Sequence, residues 1–205
     1  MMKKRLDIIC SILIIIFELY AFIRMISREH VIDFEYYTVL SNALALFTSI
    51  FYLVIYKNKT SFYDNFYFIV TCMMTFTFLV VIFVLAPFYN FDFYWLMFKG
   101  SNLMMHTLCP ILMIISYVFC NKTKSKKLLP FIPILVYGIP IFILNITRTL
   151  DGPYPFLRVY NQPIYMTIIW IIILFVINYI IGVGLIKLNR KFGGNSENNI
   201  RESTR

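Results

Sequence analysis

Residues 66–88 read FYFIVTCMMTFTFLVVIFVLAPF, from Phe66 to Phe88, without one charged side chain. A bilayer core about 30 Å thick takes about 20 predominantly apolar residues as one helix, and this run meets that requirement in one piece. The same texture returns on both sides of it. Similar runs cover about Leu6 to Ile26, Tyr36 to Tyr56, Ser101 to Phe119, Leu129 to Thr147 and Pro163 to Leu188, the fifth in chain order being interrupted by Pro130, Pro133 and Pro140. The polar stretches between them are too short to fold alone. The sequence therefore predicts an all-α polytopic membrane protein, a single bundle of six transmembrane helices within residues 1–188. A polar, charged stretch from Asn189 to Arg205 reads as a disordered cytoplasmic tail.

Composition agrees. Of 205 residues 60 % are hydrophobic and 14 % charged, with 21 Phe, 15 Tyr and only 7 Gly, where a soluble domain carries about 45–50 % apolar and about 25 % charged residues. A disordered chain, a collagen-like repeat and an ordinary cytosolic enzyme are excluded. Lys3, Lys4 and Arg5 precede the first run as in a secretory signal, but Glu18-Leu19-Tyr20-Ala21-Phe22 has no small-x-small cleavage site, so the segment reads as a retained helix.

Basic residues accumulate on the cytoplasmic side of short loops. Fourteen of the 19 lysines and arginines fall on the side of the N-terminus, and Arg24, Arg28, Lys99, Arg148 and Arg158 fall on the other. Both termini are expected in the cytoplasm, and the plasma membrane is the expected location. The charges are scattered over separate loops with no aromatic platform among them, so no nucleic-acid partner is expected. Cys10, Cys72, Cys109 and Cys120 show no CxxC spacing and the chain has only His30 and His106, so neither a metal site nor a cofactor is expected. His30, between Arg28 and Asp33, reads as a solvated loop residue. The aromatic stretch Asn90 to Gly100 reads as an interfacial segment. Asp151 to Leu157, stiffened by Pro153 and Pro155, reads as a structured lid.

Polar residues inside a membrane are costly and point to function by default. At 100° per residue, Thr38, Asn42, Ala45 and Ser49 form one narrow stripe on the second helix, with Ser41 at its edge. Asn102, His106, Cys109, Pro110 and Tyr117 form another on the fourth. Glu18 lies above Ser11 on the first helix, and Thr167 aligns with Asn178 on the sixth. By helix rise, Thr38 and His106 lie ~3 Å and ~8 Å below the outer ends of their helices, and Glu18 is within one or two turns of that level.

A hydroxyl, an imidazole, an amide and a carboxylate at one depth suit hydrolysis. Threonine needs a base to take its proton, and neutral imidazole is suited to that near pH 7. Asn42 or Asn102 is a candidate donor to an oxyanion, and Glu18 or Asp151 a candidate to orient the imidazole. Ser41, Cys109, Tyr117 and Tyr154 are candidate walls of the substrate cavity. Each has a plainer reading. Small polar stripes commonly pack membrane helices, a buried histidine is often a satisfied structural donor, Glu18 is a counter-charge for Arg24, and Pro110 is a helix kink.

Thr38-Val39-Leu40-Ser41-Asn42 opening a helix after Tyr36-Tyr37, His106-Thr107 with Pro110 one turn on, and Tyr154-Pro155-Phe156-Leu157 in the last outer loop resemble the androgen-induced membrane hydrolase family, most closely its bacterial branch. The resemblance implies a six-helix intramembrane hydrolase with a threonine nucleophile and a histidine base. It implies fatty acid esters of hydroxy fatty acids as substrates. By position the pair is Thr38 and His106. Asn42, Glu18 and Asp151 come from the geometry alone. The partner expected is a membrane lipid or lipid-like ester. A lipid or small-molecule transporter using the same cavity without covalent chemistry, and an intramembrane acyltransferase, are the alternatives.

Overall fold

The computed structural model describes residues 2–29, 32–55, 60–121 and 125–193. His30, the loop lysines Lys57, Lys59, Lys122 and Lys124, and the tail from residue 194 lie outside the described residues. Among the described residues six helices of three turns or more occur, α1 (Met2–Glu29), α2 (Tyr37–Ile55), α3 (Ser61–Phe88), α4 (Leu103–Cys120), α5 (Phe131–Ile146) and α6 (Ile164–Phe192). No strand occurs among the described residues. All but α5 are long and apolar enough to cross a membrane. At 16 residues, α5 is ~24 Å long. It is shorter than the expected run because Pro130 stands at its entrance and Arg148, in the left-handed region at φ 57, turns the chain just past its end. There Thr149 N–H reaches back to the Leu144 carbonyl at 2.9 Å, closing carbonyls that a helix end leaves open.

Burial ranks the helices. The most apolar window of α3 is 72 % buried and that of α6 only 22 %, so α3 runs through the middle and α6 along the side. Thr60 begins α3 by accepting the Tyr63 N–H at 3.2 Å, and Asp64 in the first turn favours the positive end of the helix dipole. Helix α1 packs on α2 and α4, α3 packs on α2, α4 and α6, and α5 leans on α6. Phe68, Met73, Met74, Met113 and Tyr117 fill the centre.

At the N-terminal end, Ser116 on α4 joins three helices. It bonds the Tyr67 hydroxyl at 2.6 Å and donates to the Asp7 carboxylate. The last helix continues four residues beyond its expected end at Leu188. The reason is Asn189, which is buried and donates through Nδ2 to the Tyr117 and Asn121 carbonyls, both at 2.6 Å. Those carbonyls lie in the last turn of α4 and at the residue just after it, where a helix end offers carbonyls to side-chain donors. Residues 189–192 are thus helix, and not tail.

Two wide, π-helical turns interrupt the ladders, Val81–Leu85 in α3 and Leu103–Leu108 in α4. Each precedes a proline, Pro87 or Pro110, which brings no N–H. In α4 the Cys109 N–H bonds five residues back to Met104, so the next donor in that register is missing at Pro110. The Met105 carbonyl is left open and takes a side-chain amide from Asn42 at 3.3 Å instead.

Candidate functional site

Helices α1, α3 and α5 end, and α2, α4 and α6 begin, at one end of the bundle, and the site is built there. A cavity of about 300 Å³ lies among Thr38 on α2, His106 and Asn102 on α4, Tyr36 and Asp33 before α2, and Tyr154. Its polar rim and volume leave room for several waters or a polar headgroup. Thr38 and His106, expected from the sequence to face each other, line this one cavity. No hydrogen bond joins them among the described residues.

Thr38 is in the first turn of α2, where backbone N–H groups have no helical acceptor. Its N–H donates to the Tyr154 hydroxyl oxygen at 3.3 Å, and its Oγ1 is 3.4 Å from the same oxygen. The phenol thus accepts from the α2 backbone, and in its contact with Thr38 Oγ1 either hydroxyl can donate to the other. Burial pushes the Tyr154 phenol up to about 12, against the opposing pull of its Thr38 contacts, so it stays a donor at neutral pH. Burial, aided by the negative charge of Glu35, also raises the neighbouring Tyr36.

His106 is held from the aromatic segment. Its Nδ1 is 2.6 Å from the Leu96 carbonyl oxygen. A carbonyl only accepts, so Nδ1 carries the hydrogen and the neutral ring keeps its lone pair on Nε2. The same device recurs on either side. Asn102 donates to the Trp95 carbonyl at 2.9 Å and Thr107 to the Met97 carbonyl at 2.8 Å. Three side chains at the start of α4, Asn102 at its N-cap and His106 and Thr107 within it, thereby cap three consecutive carbonyls of the short turn Tyr94–Phe98, whose own helix ends too soon to satisfy them. Around that turn Phe91, Tyr94 and Phe98 are exposed, in keeping with an interfacial segment.

The lid forms the roof. Gly152, Pro153, Tyr154 and Phe156 are buried, and a Cβ on Gly152 would come within 2.6 Å of the Leu157 backbone. Arg158 donates to the Gly152 carbonyl at 3.1 Å and Gln162 to that of Phe156 at 2.9 Å. Tyr154 stacks on Phe156 at 5.3 Å and meets Tyr36 edge-on at 5.8 Å.

Other expected site residues are elsewhere. Asn42 is buried behind Thr38, with its amide donating to the Thr38 and Met105 carbonyls at 2.8 and 3.3 Å. Both hydrogens are spent, so it is not an oxyanion donor. Ser41 bonds the Thr38 carbonyl at 2.9 Å and Thr77 Oγ1 at 3.1 Å, which is helix packing between α2 and α3. Asp151 is exposed on the lid and does not orient His106. Tyr117 is buried against Phe68 at 5.4 Å, three turns deeper than His106. Glu18 is fully buried beside the Cys109 thiol and does not line the cavity. Among the described residues the Cys109 thiol is the polar group beside its carboxyl oxygens, and no nitrogen or oxygen donor reaches them. Arg24 is not its counter-charge, for its guanidinium bonds the Tyr20 hydroxyl at 2.9 Å. Thr167 accepts from Gln162 at 3.0 Å and Asn178 donates to the Pro130 carbonyl at 2.6 Å, so that stripe is structural.

The sequence reading missed the Leu96 carbonyl, which is backbone and carries no side-chain signal, and the walls supplied by Asp33, Tyr36 and Trp95. The aromatic spacing of residues 91–98 was the available hint, since a segment so apolar beside a polar stripe must fold back onto something. Compared with family models, curated proteins and solved structures, the chain matches none of them.

Proposed function

We propose that the protein is an intramembrane lipid-ester hydrolase, with Thr38 as nucleophile and His106 as general base. The observation that carries this reading is the shared cavity of about 300 Å³, into which α2 brings a hydroxyl and α4 an imidazole whose tautomer is fixed by Leu96. In this reading all six helices span the plasma membrane, both termini are cytoplasmic, and the cavity opens in the outer leaflet. The excess of lysine and arginine on the N-terminal side supports that orientation.

Substrate enters with its ester carbonyl beside Thr38 and its hydrocarbon still in the bilayer. As the bound ester draws the two helices' side chains into contact, His106 Nε2 takes the Thr38 hydroxyl proton and Oγ1 attacks the carbonyl carbon. The Tyr154 phenol and the second amide hydrogen of Asn102 are the donors for the oxyanion that forms. Collapse breaks the ester C–O bond. The leaving alkoxide takes the proton from His106, leaving an acyl-threonine. Water, deprotonated by the same Nε2, attacks that ester and returns the proton to Thr38. The Leu96 carbonyl fills the orienting role that a carboxylate holds in other triads. Fatty acid esters of hydroxy fatty acids are the proposed substrates, on the strength of the family resemblance.

The test is turnover of a long-chain lipid ester by the purified full chain and by its Thr38→Ala form. The reading requires loss of turnover in the variant. Undiminished turnover by Thr38→Ala removes Thr38 as nucleophile, and acyl transfer to an added alcohol in place of water makes the protein an acyltransferase.

A further inference from the structure

Beyond the polar cavity, two apolar spaces continue into the bundle. One of about 70 Å³ is bounded by Tyr37, Phe76, Val80 and Tyr137. The other, about 290 Å³, is a groove between α5 and α6 lined by Leu135, Ile139, Phe142, Ile171 and Phe175. Their walls are shared in sequence. Thr38, Leu85 and Tyr154 border both the polar cavity and the narrow space. Ile134, Gly138, Leu157 and Leu174 border both the narrow space and the groove. The Thr38–Tyr154 pair, in contact at 3.4 Å, is thus the partition between a polar compartment and an apolar one.

From this juxtaposition we infer that the groove between α5 and α6 is an acyl-chain subsite, and that its ligand is a lipid whose linear chain runs past Thr38 and Gly138 while its polar part stays in the cavity beneath the lid. The inference rests on the proposed ester chemistry only for the identity of the bond at Thr38. It stands on its own as a binding site.

Three features identify hydrocarbon as the occupant. The groove has no charged wall, and its rim residues Leu135, Ile139 and Ile143 are 43–54 % exposed, so in a membrane it is continuous with the acyl region. From Ile134 to Ile143 it follows α5 for ~14 Å, a length that suits an extended alkyl chain and leaves a short acid with most of it unfilled. Finally, Gly138 occupies the junction. A glycine in mid-helix costs about 1 kcal/mol relative to alanine, and nothing lies within 4 Å of where its Cβ would be. The missing side chain leaves open space on the proposed path. A single path also distinguishes the ligand from a two-chain phospholipid held by both chains.

Gly138→Phe starts from a Cβ with nothing within 4 Å of it and puts a ring on the proposed path, so it is the variant of choice, with its thermal midpoint measured to establish folding. The full chain in nanodiscs is labelled with a diazirine-bearing palmitate and the crosslinks are mapped, in parallel with turnover of acetyl, butyryl and palmitoyl esters. Expected are crosslinks on residues 134–143 and 171–175 that fall about tenfold in Gly138→Phe, with palmitoyl turnover reduced by a similar factor and acetyl turnover unchanged. Crosslinking that persists unchanged in a folded Gly138→Phe, or an unaltered chain-length profile, overturns the subsite and leaves the ester chemistry intact. Crosslinking that is retained in Thr38→Ala while no ester is turned over by any form overturns the hydrolase reading and leaves the subsite standing.

Discussion

His106 Nδ1 lies 2.6 Å from the Leu96 carbonyl oxygen, and this contact assigns the two ring nitrogens different tasks. Nδ1–H is bound to the aromatic segment, and Nε2 is the nitrogen with a lone pair. A purely structural histidine needs only the first task, whereas a base needs both.

His106→Asn separates them, because a side-chain amide still offers the Leu96 carbonyl a hydrogen. Its unfolding free energy is expected within about 1 kcal/mol of the parent, while ester turnover falls by a factor of about 10² to 10⁴. Parallel measurement of thermal midpoint and turnover decides the matter. Retained turnover assigns His106 to structure alone.

Tyr154 gives a pH-dependent signature. Its phenol is raised from an ordinary value near 10 to about 12, chiefly by burial. The folded state therefore holds the proton more tightly than the unfolded one. The resulting stability is complete below about pH 10 and is lost as pH rises through about 12, amounting to about 3 kcal/mol at most. Other tyrosines titrate in the same range, so the readout is the difference from Tyr154→Phe. The parent is expected to lose more stability than the variant between those two pH values. Coincident profiles would mean that folding does not raise the Tyr154 phenol.

Glu18 is fully buried and does not line the cavity, and its carboxyl group has the weak donor Cys109 beside it. Replacing a weakly satisfied polar group by an apolar one of similar shape is expected to stabilise. Glu18→Met should raise the unfolding free energy by about 1–3 kcal/mol and leave turnover unchanged. A lower midpoint would show that the carboxyl has a stabilising partner.

Asn189 pins the end of α6 to the end of α4 through two bonds of 2.6 Å. Asn189→Ala removes both bonds and is expected to cost about 2 kcal/mol. Hydrogen exchange should speed up over residues 186–192 and stay slow at Thr38. Unchanged protection at the end of α6 would contradict the anchoring role.

Much of this was legible in the sequence. The apolar runs identified each helix to within a few residues, because hydrocarbon demands long stretches without charge and α3 supplies one from Phe66 to Phe88. The stripes were legible as faces, and Thr38 and His106 do line one cavity. What periodicity alone could not resolve was direction within a stripe. Asn42 shares a stripe with Thr38 but points at carbonyls, one of which is open only because Pro110 lacks an N–H. Tyr117 shares a stripe with His106 but is three turns deeper, where the bundle is closed. Asp151 belongs to the lid but is exposed, while Gly152, Pro153 and Tyr154 beside it are buried. Leu96 acts through a backbone atom, and the tie of Asn189 to α4 is a long-range contact.

The central claim is that Thr38 and His106 act as nucleophile and base in one pocket. Fluorophosphonate labelling of the purified full chain, read by peptide mass spectrometry, tests it most directly. The adduct should form on Thr38, be absent in Thr38→Ala, and form at least about a hundredfold more slowly in a folded His106→Asn. A folded, ester-hydrolysing protein whose Thr38 stays unlabelled, or is labelled equally well without the imidazole, would contradict it.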